Sequence, residues 1–269
     1  MKMNWKQVTF VAAACAVCAS VFVSSANAAD WGQYEVDDRR SGFTYMTDES
    51  RAMQVDSFQN PGMIWVEQGA ELWTEVNGKA GKSCASCHED ATAAMKGVAA
   101  RYPVYDEGAK TLQSVETQIN HCLENNMQAE PYKWESTEML SMTSFINNQS
   151  LGMPVDVKID GPAAEWYEKG KAFYYERRGQ LDMACKHCHE DNAGGIIRAN
   201  TLTQGQVNGF PTYRLKWQKV GSIHRRFRGC NKQVRSAPFG YGSDEYLALE
   251  LYVKWRGRGL PVETPAVRN

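Results

Sequence analysis

The chain has 269 residues, with 30 basic and 31 acidic side chains and a formal net charge of −1, a balance that singles out no class of charged partner. Beyond the N-terminus no window approaches the roughly 20 apolar residues that span a bilayer, so no membrane-spanning helix is expected there. Taken in chain order, Lys2 and Lys6 precede an apolar run from Val8 to Val23, and Ala26-Asn27-Ala28 offers small residues at cleavage positions. This pattern predicts a secretory signal peptide over residues 1–28. A membrane anchor is the rival reading, but the run is short and Ala-rich; a lipoprotein cleaved before Cys15 or Cys18 would keep too little apolar segment. The mature chain, Ala29 to Asn269, then carries a net charge of −3 and is long enough for two ordinary domains, with no membrane association. Export leaves six cysteines: Cys84, Cys87, Cys122, Cys185, Cys188 and Cys230. An oxidising compartment would by default pair them as disulfides, but their spacing argues otherwise.

CASCH (84–88) and CKHCH (185–189) both match C-x-x-C-H, the attachment signature of c-type haem. Two thiols three positions apart on one helical turn can form thioethers to the two vinyl groups of one haem, and the adjacent histidine becomes the proximal iron ligand. A redox C-x-x-C or half a zinc site is the bland alternative. Two copies, each continued as HED in an exported chain, favour two covalent haem c groups, with Cys84, Cys87, Cys185 and Cys188 as the attachment residues.

The similarity extends beyond the motifs. VEQGAELWTEVNGKAGKSCASCHED (66–90) aligns without a gap on YEKGKAFYYERRGQLDMACKHCHED (167–191), each reading as an amphipathic helix ended by glycine before the haem motif. Downstream, Tyr102-Pro103-Val104-Tyr105 matches Phe210-Pro211-Thr212-Tyr213, and the interval from proline to the next cysteine (Cys122, Cys230) is the same in both. Each copy continues through an apolar helical segment (139–146, 246–253) and closes on G-x-P-V (Gly152 to Val155, Gly259 to Val262). The expected fold is mainly α, a tandem duplication of two class I cytochrome c-like haem domains over 29–160 and 161–269, joined near the Gly-Pro of residues 156–162.

A c-type haem iron takes a second axial ligand, commonly Met or His. No methionine follows Met183, so the second copy offers His224, Cys230 or a lysine; the first offers His121, Cys122, Met127, Met139 and Met142. In the repeat alignment Cys122 and Cys230 coincide, whereas His121 falls on Gly229 and His224 on Glu116. The shared position favours thiolate ligation at both irons, by His88 and Cys122 and by His189 and Cys230. A Cys122–Cys230 disulfide is the alternative, and it needs Cα atoms within about 7 Å. The copies differ in charge. From Asn192 to Ser243 there is no acidic residue, while Arg198, Arg214, Lys216, Lys219, Arg225, Arg226, Arg228, Lys232 and Arg235 make an anion-attracting field, unless the run is simply a solvated face. Export argues against nucleic acid as its partner. Neighbouring cations favour the thiolate of Cys230.

Two C-x-x-C-H motifs, a cysteine distal to each and the R-x-x-x-C element from Arg226 to Cys230 resemble the SoxA family, the dihaem cytochrome subunits of the bacterial thiosulfate-oxidising SoxAX complex. The resemblance covers essentially the whole mature chain. It implies a periplasmic L-cysteine S-thiosulfotransferase that pairs with a small monohaem cytochrome, SoxX, and joins thiosulfate oxidatively to a cysteine of the SoxYZ carrier. Two electrons would leave through haem to an accepting cytochrome c. It further implies that Cys230 is the catalytic residue, carried as a persulfide, and that Arg226 holds the thiosulfate. The competing functions are a thiosulfate dehydrogenase releasing free tetrathionate and a plain dihaem electron carrier. The carrier predicts Met or His sixth ligands and a mixed charge that the second copy lacks.

Overall fold

The computed structural model describes residues 32–269; the expected signal peptide and its cleavage site lie outside the described residues. Side-chain caps set several of the helix starts. Thr47, Ser114, Ser136 and Ser222 each accept the N–H of the residue three positions on, which satisfies a donor the first turn would leave open. A 3-10 turn (Gly32–Tyr34) leads into strands β1 (Glu35–Val36) and β2 (Arg39–Arg40), a second 3-10 turn (Gly42–Tyr45) and helix α1 (Asp48–Val55). The N-terminal half continues with α2 (Met63–Thr74), the short helices α3 (Ala85–His88), α4 (Ala91–Ala94) and α5 (Val98–Arg101), and the hairpin β3 (Val104–Asp106) and β4 (Thr111–Gln113). Then come α6 (Val115–Cys122), which runs into a π-turn (Leu123–Met127), and α7 (Thr137–Asn148). The C-terminal half has α8 (Ala163–Tyr175), α9 (Cys185–His189), a small hairpin β5 (Ile196–Ile197) and β6 (Asn200–Thr201), a second hairpin β7 (Thr212–Arg214) and β8 (Lys219–Gly221), then α10 (Ile223–Gln233), α11 (Asp244–Arg256) and β9 (Ala266–Arg268).

Each half is built on one close helix pair, α2 on α7 and α8 on α11. The glycines that the alignment equates permit both crossings. A Cβ at Gly69 would lie 2.3 Å from the Ser141 carbonyl oxygen, and one at Gly170 would lie 2.0 Å from that of Ala248. The helices upstream of the haem motifs form as the periodicity predicts, but they end earlier than expected. Their last residues are Thr74 and Tyr175, because Glu75 and Glu176 are extended. Gly78 and Gly179 lie in the turns that follow, with φ of +73° and +69°, where a Cβ would meet the carbonyl oxygens of Met127 and Val234. These turns bring the chain back under the π-turn and the end of α10, and so aim each motif at its downstream helix.

The halves are not beads on a linker. The two G-x-P-V elements pair antiparallel with each other: Val155 N–H donates to Leu260, Gly259 N–H to Val155 and Val262 N–H to Met153. Ala99, Leu112, Val155, Val157, Trp166, Leu247 and Leu251 form a common core across them. Residues of the N-terminal segment also bind the far end of the chain. Ser41 and Gln54 hydrogen-bond to Glu263, and the Asn60 amide donates to the Pro265 carbonyl at 2.8 Å. β9 then pairs parallel with β7 on the side opposite β8, completing a three-stranded sheet in the order β8-β7-β9 that no sequence signal announced.

Candidate functional site

Both C-x-x-C-H segments are helical turns. In α3, with Cys84 as its cap, the His88 N–H donates to the Cys84 carbonyl at 3.0 Å; α9 starts at Cys185. The first thiol of each motif faces an apolar cluster. Cys84 packs with Val115, Ile119, Leu123 and the methionines 127, 139 and 142; Cys185 packs with Phe173, Val207, Ile223, Phe227 and Tyr246. Burial pushes the Cys84 thiol up to about 11 and Cys185 up to about 12, with Cys122 and Cys230 the next causes. Neutral sulfur is therefore favoured at Cys84 and Cys185.

All six cysteines of the described residues are free, so Cys122 and Cys230 do not form a disulfide. No group of three or more His, Cys, Asp or Glu side chains converges among the described residues, which leaves no zinc-type ligand set. Cys122, the last residue of α6, acts electrostatically on Cys84, so the downstream cysteine comes back over the motif as the repeat implied. The Gln118 amide donates to its sulfur at 3.5 Å. The other sequence candidates have different surroundings. His121 is exposed and contacts Asn125; Met139 is a core residue whose sulfur accepts from Thr143. His88 lies beside the Trp73 ring, 5.8 Å between centroids, and no hydrogen bond orients it.

The second centre is more tightly organised. Thr203 presents its carbonyl oxygen 2.8 Å from His189 Nδ1. A carbonyl only accepts, so Nδ1 carries a proton, and Nε2 is the nitrogen turned toward Cys230. Gly205 makes room for that ring, since a Cβ there would lie 2.8 Å from His189 Cγ. Cys230 sits on α10 one turn beyond Arg226, on the same helix face. Burial raises the Cys230 thiol, but the Arg226 guanidinium, a hydrogen bond with His189 and the charge of Arg214 outweigh it and bring it down to about 7. Arg226, His189 and Cys230 therefore converge with Cys185 and Cys188, both of which feel the Cys230 charge. His224 is not available as a ligand. It is fully buried, its Nδ1 accepts the Gly242 N–H at 3.1 Å and its Nε2 donates to Glu250 at 3.1 Å.

The basic run is not one uniform face. Arg225 pairs with Glu135 of the N-terminal half and stacks on Trp217; Arg228 stacks on Tyr241 and donates to the Phe239 carbonyl. Of the nine cations, Arg214 and Arg226 are those that bear on Cys230. Arg214 was not singled out from the sequence. Its signal was positional, because it stands where the first copy has Asp106, three residues after the repeated proline.

The residues fit haem. Each C-x-x-C-H is a helical turn opening on apolar surroundings with its downstream cysteine returned to it, and the Thr203 carbonyl orients His189 through Nδ1. A profile of the SoxA/TsdA cytochrome c domain matches residues 68–155, which places the chain among the c-type cytochromes. The wider similarity is more specific. SoxA, the L-cysteine S-thiosulfotransferase subunit of Pseudaminobacter salicylatoxidans, is 52% identical over 234 residues, 87% of this chain and 82% of that protein. The Rhodovulum sulfidophilum SoxA is 47% identical over 233 residues, 87% and 81% of the two chains. A chain in the crystal structure of SoxXA from P. pantotrophus superposes with a TM-score of 0.83 at 46% identity, covering 86% of this chain and 87% of that one. The chain belongs to the SoxA family of L-cysteine S-thiosulfotransferase subunits.

Proposed function

We propose that the chain is a periplasmic dihaem subunit that conjugates thiosulfate oxidatively to a cysteine of a SoxYZ-type carrier, working as a heterodimer with a SoxX-type monohaem cytochrome c. The observation that carries this reading is Cys230, a thiol lowered to about 7 between Arg226 and His189. On this reading the chain is a tandem duplication of two class I cytochrome c-like domains, 29–160 and 161–269, supported by the matched helix pairs, hairpins and G-x-P-V elements. Cys84 and Cys87 hold the first haem c, with His88 and Cys122 on its iron; Cys185 and Cys188 hold the second, with His189 and Cys230. When bound, the haem supplies the electron acceptor for the oxidation.

The chain's own residues do the rest. Arg226 pairs with the sulfonate oxygens and directs the outer sulfur of thiosulfate toward Cys230. Cys230, carried as a persulfide, relays sulfur by thiol exchange, for which a pKa near ambient pH is the best compromise between thiolate fraction and nucleophilicity. In the net reaction the carrier thiol loses its proton, a sulfur–sulfur bond forms between carrier and thiosulfate, and two electrons pass to an accepting cytochrome c. Low-pKa and cation-flanked, Cys230 has the electrostatics of a reactive cysteine; burial pushes Cys84 and Cys185 the other way. The test is product analysis with the haem-loaded heterodimer, thiosulfate and the carrier. A carrier-bound sulfonate adduct lost in Cys230→Met supports the reading; free tetrathionate instead would make the protein a thiosulfate dehydrogenase.

A further inference from the structure

Helix α10 carries Cys230, and its first turn is completed from the other half of the molecule. Ser222 caps it, accepting the Arg225 N–H at 3.1 Å. In a capping box the third residue of the helix is Glu or Gln, and it reaches back to the N–H of the cap residue. Here that residue is Arg225, which has no acceptor to offer. Glu135, from the loop between the π-turn and α7, takes its place. Its Oε1 accepts the Ser222 N–H at 3.1 Å, and its Oε2 lies 3.4 Å from Arg225 Nη1. A carboxylate there suits the positive end of the helix dipole and offsets the cation in the first turn. Glu135 does this with φ at +64°, a left-handed conformation that a residue with a Cβ keeps only where its surroundings fix it. Beside it, the Trp134 ring stacks on His224 of α10, with centroids 4.7 Å apart and planes 11° from parallel, and on Tyr241 at 5.8 Å.

The same loop is tied to the other cysteine helix. The Tyr132 N–H donates to the Asn120 side chain at 2.9 Å, and the Asn120 amide donates to the Tyr132 carbonyl at 3.0 Å. Asn120 stands just ahead of Cys122 on α6. The far end of α10, by contrast, is held within its own half, by Asn231 on the Tyr246 hydroxyl and by the Leu181 N–H on the Val234 carbonyl. We propose that residues 132–135 are a strap between the two cysteine helices, in which Trp134 and Glu135 are positioning residues that place Cys230 through the first turn of α10. From His224 to Cys230 is about 9 Å along a helix, so a tilt or rotation of the first turn is carried to the sulfur. This rests on the reading of Cys230 as iron ligand and reacting thiol.

The test is electron paramagnetic resonance of the oxidised, haem-loaded heterodimer, together with steady-state kinetics of thiosulfate conjugation. The signals that change in Cys230→Met and in Cys122→Met identify the second and first haems. Trp134→Leu should shift the second-haem signal and leave the first unchanged. It should also lower kcat about 10- to 100-fold, the cost of a misplaced reacting group, with KM for thiosulfate unchanged. Trp134→Phe keeps a ring on His224 and should restore both readouts. Glu135→Gln can still accept the Ser222 N–H but loses the pair with Arg225, and should give a smaller shift; it carries the comparison if Trp134→Leu does not fold. Lower thermal stability with an unchanged second-haem signal and unchanged kcat, or equal shifts at both haems, would overturn the strap. A Cys230→Met variant with no altered haem signal would overturn the ligand reading and the strap with it. If the wild-type heterodimer forms no carrier adduct, the thiosulfate reading fails and the haem signals alone decide the strap.

Discussion

The two halves run the same backbone plan around opposite chemistry. α6 and α10 are both started by a serine, Ser114 and Ser222, and both bring a cysteine back over a C-x-x-C-H turn. One turn before the cysteine the first half has Gln118 and the second Arg226; at the hairpin end the first has Asp106 and the second Arg214. Cys122 therefore sees a neutral amide, and Cys230 sees two cations and a histidine. On the proposed reading, the cysteine position belongs to the scaffold, and reactivity belongs to two or three substitutions beside it.

The largest expected effect separates the halves most plainly. Cys230→Met should reduce conjugation of thiosulfate by about 10³-fold or more while both haems stay attached, because it removes the reacting sulfur. Cys122→Met should leave conjugation nearly intact, measured on the same heterodimer by carrier-adduct formation and by the haem-to-protein ratio. Arg226→Gln gives the second centre the side chain of the first. It should raise KM for thiosulfate about 10- to 100-fold, and steady-state kinetics over a range of thiosulfate concentrations would show it.

Smaller effects probe the shared scaffold. Gly170→Ala should cost about 1–3 kcal/mol or more, since its Cβ would lie 2.0 Å from a main-chain oxygen in the α8–α11 crossing, and Gly69→Ala should do the same to α2–α7. Thermal unfolding of each variant measures this. The smallest effect concerns another exchange between the copies, Glu116 in the first for His224 in the second. Both are buried between the halves with Glu250 and Lys254 of α11. Burial, reinforced by the charge of Glu250 and opposed by His224, pushes the Glu116 carboxyl well above the usual range. The folded protein then holds a proton that the unfolded chain gives up near about pH 4.3, so this contribution is full below that pH and is lost as pH rises toward the raised value. Glu116→Gln should flatten that part of the stability–pH profile, as read by denaturant unfolding at a series of pH values.

Much of this was legible in the sequence because it is carried by spacing. The helical turns of the two C-x-x-C-H motifs, the α2 and α8 helices, the α7 and α11 segments and the return of Cys122 and Cys230 follow from motif and repeat alone. What was hidden depends on the chain meeting itself. The pairing of the two G-x-P-V elements, the strand β9 and the grip of Ser41 and Asn60 on the C-terminal end join residues far apart in sequence and have no local signature. The same holds at the site. Arg226 was visible as a neighbour of Cys230, whereas Arg214 lies on another element and looked like one basic residue among nine. His224 looked like a possible ligand until its two nitrogens were seen to be engaged by Gly242 and Glu250.

The central claim is that the duplicated cysteine is reactive in one half only. Peptide mass spectrometry of the heterodimer after incubation with thiosulfate tests it most directly. An added sulfur atom on the Cys230 peptide, with the Cys122 peptide unmodified, is the result the account predicts. Added sulfur on Cys122, or on neither cysteine while the carrier is still conjugated, would contradict it.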